Sequence, residues 1–219
     1  LLHLLCTGPA HVQFMVRRSF LVSTSPSAKD EILSTCTRMV NALQSLDYIS
    51  SSGEALPKGI IASHLLVPDD AMFVCEVLIA LRGFRVPRLS APQVFAVCSC
   101  FIAEGPHDSN IRISDPQVRS CIRMCRERAQ ALADMLHSFD LRCCSSCQGA
   151  RFCNGHDFIQ ARVQPKLVET ALSWASGEDF TKAVLKSNIP SGGEGLVVRG
   201  LRRLDELMRE ISRILRYDL

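Results

Sequence analysis

Near the end of the chain the apolar residues Val197, Leu201, Leu204, Met208, Ile211 and Leu215 step by four, three, four, three and four. That spacing keeps all six on one side of an α-helix about five turns long. A seam of this length has to be buried against other helices, so it constrains the fold more than any other feature. Arg202, Arg209, Arg213 and Arg216 line another face of the same helix. No stretch alternates apolar and polar residues for more than a few positions, and aromatic residues make up only 6%, so a sheet is not expected. The spacing predicts a mainly α fold.

The same arithmetic predicts helices over 28–46, 60–66, 71–82, 90–103, 116–139, 165–176 and 180–186. Pro68-Asp-Asp70 and Ser90-Ala-Pro-Gln93 are start signals for two of them, because a short polar side chain accepts the first free backbone N–H groups and a proline fits the first turn. Gly105 to Asp115 reads as a loop, and a cysteine-rich loop spans 143–156.

With 219 residues, 47% of them hydrophobic, the chain can bury a sizeable core. The net charge of +3 gives no global field that would by itself imply nucleic acid. Of the 25 basic residues, 20 are Arg, the planar cation suited to bidentate pairing with phosphate or carboxylate. The longest apolar runs, Phe73 to Leu81 and Val94 to Ala103, are too short to span a bilayer, so no membrane partner is expected. The start, Leu1-Leu-His-Leu-Leu-Cys6, lacks an initiating Met and a basic leader, and reads as a cut through a longer chain. There are 11 cysteines, and Cys75, Cys98, Cys121 and Cys125 fall inside apolar helical patterns, which fits a reducing, intracellular compartment.

Cys144-x2-Cys147-x5-Cys153-x2-His156 offers four soft or borderline ligands, a set that tetrahedral zinc could use as a structural clip. A loop of reduced thiols with no metal is the competing reading. His64 and His107 have no nucleophile motif beside them, and no catalytic residue is assigned. The arginines of the last helix could simply form i to i+4 pairs with Asp205, Glu206 and Glu210 on a solvated face. Phe180 to Leu207 could also be a helix-turn-helix with Arg199 to Arg203 early in its recognition helix.

Several stretches resemble, in order, the C-terminal DSHCT region of DExH-box RNA helicases of the superkiller and nuclear-exosome type. They are Tyr48-Ile-Ser-Ser-Ser-Gly53 with Leu56-Pro-Lys-Gly-Ile-Ile-Ala62; Ser99-Cys-Phe101; Val168 to Gly177 with Trp174, followed by Asp179-Phe180; and Glu194-Gly195, Val198-Arg199 and Arg202-Arg-Leu-Asp-Glu-Leu207. Leu1 to Leu5 and Phe14-Met-Val-Arg-Arg-Ser-Phe20 resemble the end of the winged-helix region that precedes the bundle in that family.

The resemblance implies a winged-helix remnant at 1–22, a short linker at 23–30 where the family carries its arch insertion, and the helical bundle at 31–219. It implies a path for single-stranded RNA lined by Arg199 and Arg203, with Arg202 adjacent and Glu104 near a family carboxylate. The implied function is that of a C-terminal accessory domain of an ATP-dependent RNA helicase that unwinds RNA and feeds it to the exosome in processing, surveillance and decay, in the nucleus or, alternatively, the cytoplasm. The expected partners are RNA, the motor domains of the parent protein and the exosome or its adaptors. ATP and Mg²⁺ would act in those motor domains, since neither a Gly-rich Lys-Ser/Thr phosphate loop nor a DExH box occurs here. The alternative is a motor-less interaction or nucleic-acid-binding module, clipped by zinc.

Overall fold

The computed structural model describes residues 26–85, 87–102, 111–144, 146–147, 153–186 and 193–217. Among them are nine α-helices: α1 (Pro26–Ser45), α2 (Pro57–Ser63), α3 (Ala71–Ala80), α4 (Ala91–Cys98), α5 (Pro116–Ser138), α6 (His156–Arg162), α7 (Val168–Ala175), α8 (Phe180–Leu185) and α9 (Glu194–Ile214). The mainly α class is as the sequence predicts. No described helix is long and apolar enough to cross a membrane. The expected winged-helix remnant lies outside the described residues. α1 begins at Pro26, so positions 26–30 of the expected linker are helical; proline is well suited to a first helical turn.

The chain divides into two compact units, residues 1–64 with 133–152, and residues 65–132 with 153–219. In the first, α1 buries Ala42 and Leu43 and ends at Ser45; Asp47, at φ 59°, then turns the chain back. Tyr48 and Ile49 are then fully buried, and an isolated antiparallel bridge pairs Ile49 with Ala55. The turn between them is closed by the Ser50 N–H on Glu54 O (2.8 Å) and the Gly53 N–H on Ser50 O (2.9 Å). α2 follows, with the Lys58 ammonium 4.6 Å from the centre of the Tyr48 ring.

In the second unit α3 buries Phe73, Val74, Cys75, Val77 and Leu78, so most of its length lies in the core of that unit. It stops at Ala80, short of the expected Arg82, because Arg82, Gly83 and Phe84 all have positive φ. Phe73 meets Phe101 edge to face at 5.7 Å, and α4 packs against both α7 and α9. The Gln93 carboxamide closes the start of α4 by accepting the Ser90 N–H at 2.9 Å. α6 is absent from the sequence expectation, since seven residues with Phe158 buried leave too little periodicity to read.

The buried stripe of α9 differs from the straight seam. Val197, Leu201 and Leu204 are buried as expected, but further along Leu207, Glu210, Ile211 and Ile214 are buried, and Met208 and Leu215 are only half-buried. The stripe swings around the helix because the segment after α2 covers a different side of its C-terminal half, as the Glu210 contacts below show.

Candidate nucleic-acid interface and metal cluster

α9 holds the 66–69 segment through two side chains seven residues apart. Glu210 is buried, and its Oε2 accepts the backbone N–H groups of Leu66 (3.0 Å) and Val67 (3.2 Å). Arg203 donates from Nη2 to the Val67 carbonyl (3.2 Å) and to Asp69 Oδ1 (3.3 Å). Together they clamp one short stretch of backbone, one side chain taking its donors and the other its acceptors, which satisfies buried groups that would otherwise be costly. Arg203 is therefore half-buried and occupied within the fold.

Arg199 and Arg202 stand differently. Both are exposed, and neither has a hydrogen-bond or ion-pair partner among the described residues. The expected i to i+4 pairing occurs one turn further on, where Arg209 Nε donates to Asp205 Oδ2 at 3.0 Å. Glu104, the fourth expected RNA residue, lies outside the described residues.

Arg202 also lines an open cleft of about 380 Å³ with Trp174, Phe180, Val198, Leu201, Asp205 and Glu206. Its aromatic wall follows from local chain geometry. Gly177, at φ 93°, ends α7 in a Schellman turn, with the Glu178 N–H on Ser173 O at 3.1 Å and the Gly177 N–H on Trp174 O at 3.0 Å. Asp179 then caps α8 by accepting the Thr181 N–H at 3.0 Å. The result sets Phe180 6.3 Å from Trp174, ring centre to ring centre, at 75°, and Phe95 packs on Trp174 at 6.0 Å. Trp174 and Phe180 remain 43% and 38% exposed, a large apolar exposure for two rings already in contact. Exposed aromatic faces beside free guanidinium groups can stack bases and hold phosphates without reading sequence. The sequence pattern marks Trp174 and Phe180, but periodicity cannot show that their faces stay in solvent.

The helix-turn-helix expectation meets a geometric obstacle. Eight residues separate Leu185 at the end of α8 from Glu194 at the start of α9, against the three or four of that motif, and α9 buries a stripe along its whole length.

Buried thiols have a different role. Cys98, Cys100 and Cys125 are fully buried in the second unit, and desolvation pushes their pKa values well up, with mutual repulsion between neighbouring thiols adding to it for Cys98 and Cys125. They stay protonated and pack as small hydrophobes. None of the ten described cysteines is in a disulfide bond.

The cysteine-rich loop is organised around the end of α5. The Leu141 N–H returns to Leu136 O at 2.9 Å, with Asp140 at φ 53°, so the chain doubles back over the last helical turn. This brings Cys143 Sγ to 3.1 Å from His137 Nε2. The Cys147 N–H on Cys144 O (3.2 Å) forms a turn that sets Cys147 Sγ 3.5 Å from His137 Nε2 and 3.7 Å from Cys143 Sγ. Within the first unit His137, Cys143 and Cys147 form a His/Cys cluster that could hold a metal ion.

Of the residues expected as ligands, Cys147 is in this cluster and Cys144 and His156 are not; Cys153, in the second unit, accepts the Gly155 N–H at 3.3 Å. His156 opens α6 and shares a hydrogen bond with Gln160 at 3.1 Å, which turns its ring along its own helix. His137 was hidden from sequence reading because it lies on a helix, six residues before the first loop cysteine.

Residues 53–218 match the family model described as the DSHCT (NUC185) domain. The chain is 27% identical over 176 residues to Superkiller complex protein 2 of Mus musculus and 24% identical over 169 residues to mRNA transport homolog 4 of Caenorhabditis elegans. It is 22% identical over 169 residues to Exosome RNA helicase MTR4 of Homo sapiens. These alignments cover 77–78% of this chain but only 12–14% of the relatives. The family match runs from the turn before α2 through α9, and so includes the aromatic cleft, the Arg203–Glu210 clamp and the cysteine loop: the chain belongs to the DSHCT (NUC185) domain family.

Proposed function

We propose that this chain is the C-terminal accessory domain of an ATP-dependent RNA helicase that delivers RNA to the exosome in processing, surveillance and decay. The observation that carries the reading is the exposed Arg202 in the cleft lined by the half-exposed rings of Trp174 and Phe180, with exposed Arg199 three residues before it on α9, in a family whose relatives include a protein named an exosome RNA helicase. The guanidinium groups would contact phosphates and the rings would stack on bases, holding a single strand against motor domains elsewhere in the parent protein. Those motor domains would bind and hydrolyse ATP with Mg²⁺; the residues here would restrain the strand so that each motor stroke moves it one way. Arg203, engaged with Val67 and Asp69, would shape this face and make at most a secondary contact, and Glu104 is retained as a candidate at its edge. Nuclear localisation and exosome or adaptor partners follow from the same reading.

The test is fluorescence anisotropy with a single-stranded RNA across a salt series. Arg199→Ala and Arg202→Ala should each weaken binding and reduce the salt slope by roughly 0.7 per lost phosphate contact. Trp174 is the only tryptophan, so bound RNA should also quench the intrinsic fluorescence. Equal binding by wild type and both variants, with no quenching, would exclude this face from an RNA path.

A further inference from the structure

We propose that His137, Cys143 and Cys147 bind one zinc ion. The argument starts from the three ligand atoms at the end of α5. A tetrahedral site with Zn–S bonds of about 2.3 Å and a Zn–N bond of about 2.0 Å places its sulfurs roughly 3.8 Å apart and its nitrogen roughly 3.5 Å from each sulfur. The Cys143 and Cys147 sulfurs are 3.7 Å apart, and His137 Nε2 is 3.1 and 3.5 Å from them. Three edges of the tetrahedron are thus close to their required lengths. Cys143 and Cys147 are buried and His137 is half-buried, so an ion there would be shielded from water.

Two thiolates and one imidazole suit zinc and disfavour the hard cations Mg²⁺ and Ca²⁺, which take oxygen ligands. The ion would clip the last turn of α5 to the loop that leaves it, and binding would release the thiol protons.

The test measures metal on the whole chain purified without chelator. Mass spectrometry of the metal content should give about one zinc per chain. Protein stripped under reducing conditions and titrated with Co²⁺ should develop the visible bands of tetrahedral cobalt together with a thiolate charge-transfer band. Cys147→Ser and His137→Ala should lower zinc affinity by more than the roughly 10–100-fold that loss of an outer hydrogen-bond partner costs. Cys144→Ser and His156→Gln should leave stoichiometry and spectrum unchanged.

Loss of metal in the Cys144 and His156 variants, with retention in the His137 variant, would overturn this ligand set. Wild-type protein that neither carries zinc nor develops the cobalt spectrum would overturn the site altogether. The wild-type titration decides the matter even if a ligand variant fails to fold.

Discussion

Gly59 lies directly against the backbone of Tyr48: a Cβ on Gly59 would sit 2.1 Å from the Tyr48 carbonyl oxygen. The same oxygen accepts the Leu56 N–H at 3.0 Å, so it cannot move aside without opening the turn before α2. The glycine after Lys58 is therefore required for space. Gly59→Ala should destabilise the protein by about 2 kcal/mol or more, as overpacking against a fixed backbone does. Urea denaturation would show this as a lower midpoint, and an unchanged midpoint would mean that the turn is not held in this form.

Glu210→Ala would leave the Leu66 and Val67 N–H groups without their acceptor. The expected cost is about 1.5–3 kcal/mol, the range for buried hydrogen bonds to a charged group. Glu210→Gln keeps an acceptor and should cost less. A double-mutant cycle with Arg203→Ala should show coupling, because the two side chains hold the same piece of backbone; strict additivity would argue against a shared clamp.

Arg203 and its neighbours should separate in their effects. Arg203→Ala should lower the thermal midpoint, since it removes bonds to Val67 and Asp69. Arg199→Ala and Arg202→Ala should leave the midpoint within experimental scatter, as exposed substitutions usually do. Measuring melting and RNA binding on the same three preparations distinguishes a structural arginine from contacting ones.

Asp115 gives the fold a sensitivity to acid. Its Oδ1 accepts the N–H groups of Gln117 (2.8 Å) and Val118 (2.9 Å) at the start of α5, and its Oδ2 accepts from Gln93 Nε2 at 2.9 Å. Burial by itself would raise its pKa, but the Val118 N–H, the Gln93 amide and the Gln117 N–H outweigh it, with Arg119 adding to them, and hold the value below the ordinary 3.8. A carboxyl whose folded pKa lies below its unfolded one stabilises the fold fully above the unfolded value. That contribution is lost as pH falls through the folded value. Asp115→Asn should therefore be less stable than wild type near neutrality, and the gap should close as pH drops from about 5 to about 2. Thermal melts across that range check it; a constant gap would count against the linkage.

Cys98, Cys100 and Cys125 should resist alkylation in the native protein at neutral pH, because only the thiolate reacts and burial holds these thiols protonated. They should react fully in denaturant. Mass mapping of modified cysteines after a timed iodoacetamide pulse would show it, and rapid native labelling would indicate that the core around α4 and α5 opens readily.

The sequence by itself determined the helical class and most helix positions, because burial on one side of a helix writes a period of 3.6 into the chain. α9, α5 and α3 were legible for that reason, and so were Asp70 and Ser90 as starting signals. Ordered motifs around Gly59, Trp174 and α9 also carried the family resemblance. The tertiary structure decided which members of a pattern meet. It committed Arg203 to Val67 and Asp69 and left Arg199 and Arg202 in solvent, although all three carry the same guanidinium. It rotated the buried stripe of α9 from Met208 to Leu207 and Glu210, because what covers a helix is chosen by distant segments. It brought His137 to Cys143 through a left-handed turn at Asp140, a backbone state that spacing does not announce. Local physics is written in neighbouring residues; a site assembled across a fold depends on distances that only folding sets.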